Sequence, residues 1–341
     1  MNAPSDRDIG AAIAALRVSY PQKAIRLQFG ETLLALAKSD PNFVVLTADL
    51  MYATGIEDFG AQFPNRLFNL GIAEQNMAGV AAGLALCGKL PIVSGYAAFT
   101  TLRAVEQARD DAAYNGVKVI FAAQSAGLSY GVGGPTHQTF EDVAIMRAIP
   151  NMTVLVPSDA GEVDACLHAA LAADISGPIY IRLGRGPERC WSTPGTAFAI
   201  GKAVPLRDGT AIAVFANGSM VVEALIAADF LATLGIGVRV LNLPSVKPFD
   251  TRAVQQAANG VSAILVVEEH SVIGGLGSAV LEALAETASP PVRRIGIADI
   301  FPPTGPAHDL RGYLGLCAEN IVTQAFQMLE LAGRQKPAVK A

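Results

Sequence analysis

Residues 117–137 read VKVIFAAQSAGLSYGVGGPTH, a β-branched and apolar run that ends near Ala123 and opens into four glycines and a proline before a histidine. A strand apolar on both faces is buried on both faces, as in parallel sheets covered by helices. Working outward, similar short runs occur as FVVLT (43–47), PIVS (91–94), TVLV (153–156) and IYIRL (179–183), with helix-like stretches between most of them. That alternation specifies an α/β fold. At 184–201 it breaks into GRGPERCWSTPGTAFAIG, which carries the only tryptophan, and it resumes at AIAVFA (211–216), GVRVL (237–241) and SAILVV (262–267). The expected organisation is two parallel-sheet α/β domains: an N-terminal extension 1–22, a first domain 23–190, a linker 191–210, a second domain 211–334 and a tail 335–341.

The length of 341 residues fits two domains of about 150 residues each. With 51% hydrophobic and only 16% charged residues, the chain should build large buried cores. A net charge of −5 with no lysine or arginine run leaves nothing to neutralise a phosphate backbone, so nucleic acid is not an expected partner. Cys87, Cys166, Cys190 and Cys317 show no C-x-x-C spacing, which speaks against a disulfide frame and structural zinc. Lacking a basic leader and any long uninterrupted apolar run, the sequence reads as soluble and cytoplasmic, with no membrane partner.

Several positions are candidates for chemistry. Glu74 stands at the start of a helix of small residues, 77–86. It is either a first-turn carboxylate favoured by the helix dipole or a carboxyl among apolar neighbours, whose raised pKa would let it hold a proton near neutrality. Tyr96 and Phe99, at i and i+3, are either core or an apolar shelf for a flat heterocycle. His137 follows the glycine-rich loop at the carboxyl end of a strand, where open α/β sheets place ligands. Arg185, between two glycines, is a plausible anion contact. Gly274 to Ser278 lacks the spacing of a dinucleotide cradle and reads as a helix start, while Glu268-Glu269-His270 reads as a loop rather than a metal site. The letters G-x-S-x-G at Gly127 to Gly131 match a nucleophile elbow around Ser129, but no helix is expected straight after that serine.

Taken together, GIAEQN with AAGLA, YAAF followed by RAVEQ, GGPTHQTFEDVAIMRAIPNMTVLVPSD, IRLGRG and VVEEHSVIGGLGSAV resemble the transketolase family of thiamine diphosphate enzymes, in the family's order, from about Ala24 to the helix near Leu329. The resemblance implies a pyrimidine-binding domain followed by the transketolase C-terminal domain. It also implies residue roles. Glu74 matches the carboxyl that hydrogen-bonds the cofactor's pyrimidine nitrogen and drives the tautomer shift behind its reactive carbanion. Tyr96 and Phe99 match aromatic residues packed on the aminopyrimidine, with Arg103 nearby, and Asp49 and Leu50 match a segment lining the cofactor. His137 matches a histidine beside the reacting carbonyl and hydroxyl of the substrate, and Arg26 and Arg185 resemble arginines that hold a sugar phosphate.

Family members hold the diphosphate and its magnesium through a G-D-G motif in a domain that precedes all of these segments, and no match to it is found here. The resemblance therefore implies a split enzyme: a separate N-terminal transketolase subunit supplies the diphosphate and Mg2+ site, this chain supplies no metal ligand, and the assembly is α2β2. A self-dimer of this chain is a further expectation. Gly133 stands where many relatives carry an acid that binds a sugar hydroxyl, and Ser125 where split relatives often have histidine; both changes remove polar grip, which points to an unusual ketose or aldehyde acceptor. The expected reaction is transfer of a two-carbon ketol unit from a ketose, or ketose phosphate, to an aldose. The alternatives are a 1-deoxyxylulose-5-phosphate synthase-like enzyme, a 2-oxo-acid dehydrogenase β subunit, or a catalytically silent binding partner.

Overall fold

A computed structural model of the chain describes residues 6–193 and 195–335. Its strands are β1 (Gln22–Ala24), β2 (Phe43–Thr47), β3 (Leu67–Asn69), β4 (Leu90–Tyr96), β5 (Ile120–Gln124), β6 (Thr153–Leu155), β7 (Ile179–Arg182), β8 (Pro187–Arg189), β9 (Val204–Arg207), β10 (Ile212–Ala216), β11 (Val238–Asn242), β12 (Ser245–Lys247), β13 (Ile264–Ser271) and β14 (Val292–Ile297). A seven-stranded sheet runs β12-β6-β7-β5-β4-β2-β3 and a five-stranded sheet runs β14-β13-β10-β11-β9. Every pairing in the first is parallel except β12 on β6, and every pairing in the second is parallel except β9 on β11. The expected class, two parallel-sheet α/β domains, is what forms.

Strands β2, β5 and β10 are buried at every residue, because helices cover both faces of each sheet. The antiparallel edges β9 and β12 are three or four residues long. β9 lies inside the stretch 191–210 expected as linker, so the second sheet begins at Val204. β12, from the second half of the chain, closes an edge of the first sheet. The helix Asp6–Arg17, inside the expected extension, inserts Ile9 and Ile13 into the second unit's core beside Ile226 and Ile321. Of the expected tail 335–341, only Gln335 falls within the described residues.

A buried ionic chain joins the two units. Arg182, at the end of β7, donates from Nε to Asp142 at 2.8 Å and from Nη2 to the Glu269 carbonyl at 2.9 Å. Glu269, near the end of β13, accepts from the Leu128 amide at 2.7 Å, the Ser219 hydroxyl at 2.7 Å and Nε of Arg311. Arg311 in turn forks onto both Glu188 oxygens, at 2.7 and 2.9 Å. Burial alone would raise the Glu269 pKa; the Arg311 and Arg182 charges outweigh it and hold the carboxylate below its ordinary value. So Glu268-Glu269-His270 lies in a strand rather than a loop, and its acids serve structure. Glu268 accepts the Leu276 and Gly277 amides, which fills the helix start at Gly275 with the chain's own carboxylate.

A second junction behaves differently with pH. Glu162, fully buried, accepts from Ser158 and from Nδ2 of Asn242 on β11, and burial pushes its pKa up to about 7. The unpartnered Oδ1 of Asn242 would accept the proton of a neutral Glu162 once the amide turns over. A carboxyl with a raised folded pKa adds stability below its unfolded value and loses it as pH climbs through the folded one. The urea midpoint of the native chain relative to Glu162→Gln is therefore expected to fall between about pH 4.5 and pH 7. A difference that stays flat across that interval would show that Glu162 remains charged throughout.

Candidate functional site

In parallel sheets, side chains and loops that follow the strands converge at the carboxyl edge. The first sheet brings the ends of β2, β3, β4, β5 and β7 and the segments that follow them to that edge, and these carry Asp49, Glu74, Tyr96, Ser125 and Arg185.

Glu74 opens the helix Glu74–Leu86 and is only 5% exposed. Its Oε1 accepts from Nη1 of Arg103 at 2.9 Å, and among the described residues Oε2 accepts nothing. Arg103 lies over the Phe99 ring, 4.0 Å from its centroid. Both come from a π-helical turn, Phe99–Arg103. Four residues apart, just under one π-helical turn, the aromatic ring and the guanidinium fall on the same face after Tyr96. The Tyr96 and Phe99 centroids are 5.9 Å apart, and the His137 ring stands edge-on to both, at 6.2 and 5.3 Å. Tyr130 completes the cluster, 5.6 Å from both Tyr96 and His137. Arg185 lies 4.2 Å from the Tyr130 centroid and 5.4 Å from that of Tyr96, and its Nη1 donates to the Tyr96 hydroxyl.

The six candidates Glu74, Tyr96, Phe99, Arg103, His137 and Arg185 therefore form one continuous surface. Arg26 adjoins it through backbone: its amide donates to the Arg185 carbonyl at 3.3 Å, and the Ile25 amide to that of Gly186 at 3.0 Å. No carboxylate of the described residues lies within ion-pair distance of Arg26 or Arg185. Asp49 and Leu50 sit on the same edge, but among the described residues their amides donate to Asn69 and Thr47 and no hydrogen bond joins them to the cluster. The Asp49 amide donates to Asn69 with φ at +60°, a left-handed conformation that is strained for a non-glycine residue. Ser125 shares that conformation at φ +58°, and its buried hydroxyl has no partner. Ser129 donates its hydroxyl to the Ala126 carbonyl at 2.6 Å, and a single three-residue turn, Gly131–Gly133, follows it, so it is no nucleophile elbow. Among the described residues no group of three or more His, Cys, Asp or Glu is arranged to hold a metal.

The loop bearing Tyr130 and His137 is held from the second unit. The Leu128 amide donates to Glu269, the Gly305 amide to the Gly131 carbonyl at 3.2 Å, and Gln138 Nε2 to the Pro303 carbonyl at 2.9 Å. Sequence reading missed Tyr130 and these tethers. A tyrosine flanked by loop glycines in a chain with 6% aromatic residues was the available signal for the first. Replacing Glu269 with alanine should accelerate hydrogen exchange of the Leu128 amide by at least about tenfold, since an amide freed from a buried carboxylate opens locally. Unchanged protection would mean that the loop holds itself in place.

The family models for the transketolase pyrimidine-binding domain and the transketolase C-terminal domain match residues 21–188 and 201–321. The chain is 42% identical over 313 residues to the 6-deoxy-6-sulfo-D-fructose transketolase subunit SqwH of Clostridium sp. (strain MSTE9), covering 92% of this chain and 97% of that protein. It is 37% identical over 309 residues to one subunit of the apulose-4-phosphate transketolase of Phocaeicola vulgatus, covering 90% of this chain and 98% of that one. A solved structure described as a split gene transketolase, inactive beta4 tetramer, superposes with a TM-score of 0.83 at 41% identity, covering 91% of this chain and 99% of that one. The chain belongs to the transketolase family: it is a ketol-transferring enzyme of the kind split into subunits, and it carries the pyrimidine-binding and C-terminal domains.

Proposed function

We propose that this chain completes its active site with a separate N-terminal transketolase subunit, and that the pair moves a two-carbon ketol unit from an anionic ketose to an aldose. The observation that carries this reading is the unbroken surface from Glu74 through Phe99 and Tyr96 to Arg185. It sets a buried carboxylate with one open oxygen beside aromatic faces and an unneutralised cation. Those features fit thiamine diphosphate: Glu74 would hold the pyrimidine nitrogen, Tyr96 and Phe99 would pack on the ring, and Asp49 and Leu50 would line it. When bound, the cofactor supplies the nucleophilic carbon that carries the ketol unit. Arg103 orients Glu74 by ion pairing. His137 has Nδ1 engaged by the Thr136 hydroxyl at 3.0 Å, which leaves Nε2 to donate to a substrate oxygen or accept its proton. Arg26 and Arg185 would take the anionic end of the sugar, and Ser125 would face the substrate from the end of β5.

The diphosphate and Mg2+ are assigned to the partner subunit, in an α2β2 assembly. Gly83 and Leu86 on the exposed side of the Glu74–Leu86 helix suit close packing between copies, whereas Gly79 faces Asp111 of the same chain, 3.3 Å from where a Cβ would lie. Four free thiols fit a reducing, cytoplasmic setting.

Calorimetric titration with thiamine diphosphate and Mg2+ tests the reading: tight binding is expected from the mixture of this chain with its partner subunit and only weak binding from this chain alone. Tight binding by the isolated chain would overturn the two-chain site. In the mixture, Glu74→Gln should lower ketol transfer by about a hundredfold or more with an unchanged melting point, the scale of a lost general acid–base group. His137→Ala should lower kcat more than it weakens cofactor binding. Near-normal turnover by either variant would remove that residue from the mechanism.

A further inference from the structure

Gly133 has no conformational reason to be glycine: unlike Gly127 and Gly134, it does not adopt positive φ. Its reason is steric. A Cβ there would lie 2.9 Å from two carbons of the Tyr130 ring and 2.8 Å from Cβ of His137. Glycine at 133 and the ring at 130 are thus one arrangement, and while the ring is in place nothing polar can project from 133 beside His137. The same ring also carries the Arg185 guanidinium, 4.2 Å from its centroid. Tyr96 meets that guanidinium through its hydroxyl as well as its ring, whereas the Tyr130 hydroxyl makes no hydrogen bond among the described residues. Tyr130 therefore meets Gly133, His137 and Arg185 through its ring.

We propose that Tyr130 is a specificity-determining residue: it walls the substrate side of His137 with carbon and fixes Arg185 as the recognition point for a terminal anion. The inference rests on the ketol-transfer reading above and extends it to substrate class. Acceptors are chosen by a phosphate or another tetrahedral anion at the far end, and a hydroxyl on the carbon next to the reacting aldehyde is not recognised. A site that hydrogen-bonds a hydroxyl rejects the analogue lacking it by orders of magnitude, because its own polar group is left unpaired. The Tyr130 ring carbons that exclude a side chain at 133 have no such group.

The test uses this chain mixed with its partner subunit and two substrate pairs. Ribose 5-phosphate and 2-deoxyribose 5-phosphate should differ in kcat/KM by less than about threefold, and a preference above about a hundredfold for the hydroxylated sugar would overturn the proposal. Glyceraldehyde 3-phosphate should be strongly preferred to glyceraldehyde. Tyr130→Leu, which fills the volume without a π face, should reduce that preference about tenfold through KM, within the range of a partly desolvated cation–π contact, while Tyr130→Phe keeps it within about twofold. Equal behaviour of the Leu and Phe variants would refute the role of the ring. If Tyr130→Leu does not fold, the deoxy-sugar comparison on the native protein still decides. If the native mixture transfers no ketol unit, the functional reading fails, and calorimetric binding of glycerol 3-phosphate to the isolated chain tests Tyr130 separately. Weakening by Leu but not by Phe would support its hold on Arg185, and equal affinity in all three would overturn it.

Discussion

One carboxylate, Glu269, governs how the two halves of this molecule meet. It is buried between sheets, and such a charge is tolerated only when its oxygens are fully engaged and opposite charge stands close by. The fold supplies both: an amide from the glycine-rich loop, a hydroxyl from the start of a helix in the second unit, and the guanidinium of Arg311, with Arg182 on its carbonyl side. Each partner comes from a different segment, so satisfying this one group orders the glycine-rich loop, β7, β13 and the helix Ala307–Tyr313 together. The second unit acts on the site by fixing the loop that presents His137, without lending a side chain to the ring cluster.

The cluster shows how the first sheet does its part. Parallel strands deliver their following loops to one edge, so Glu74, Tyr96, His137 and Arg185 meet although they are spread over more than a hundred residues of sequence. The π-helical turn after β4 sets Phe99 and Arg103 in a column above Glu74's carboxylate. Cation–π contacts hold both arginines of this surface, and among the described residues Arg185 has no carboxylate counterpart. A cation restrained by rings keeps its attraction for a ligand, since no fixed anion has to be displaced first.

Much of this was legible in the sequence, for identifiable reasons. Fully buried strands such as FVVLT and IAVFA announce themselves because helices on both faces demand apolar residues at every position. The glycine loop pointed to His137 because glycines mark where backbone must turn tightly. β9 and β12 stayed hidden because short antiparallel edge strands carry no continuous apolar run. The role of Glu269 stayed hidden because its partner amide at Leu128 is 141 residues away, and no local pattern records such a pairing. Gly133 was visible as a departure from relatives; that an adjacent tyrosine ring forbids a side chain there is a fact of three-dimensional contact.

The strand β12 crosses the apparent boundary between the units and closes the edge of the first sheet beside β6. A gene cut near residue 190, where composition suggests a clean division, would leave the Thr153–Leu155 edge bare. Its unpaired backbone groups would then offer a template to any other extended chain. The two halves are covalently modular in appearance and mutually protective in fact, so they are best inherited, expressed and engineered as a single piece.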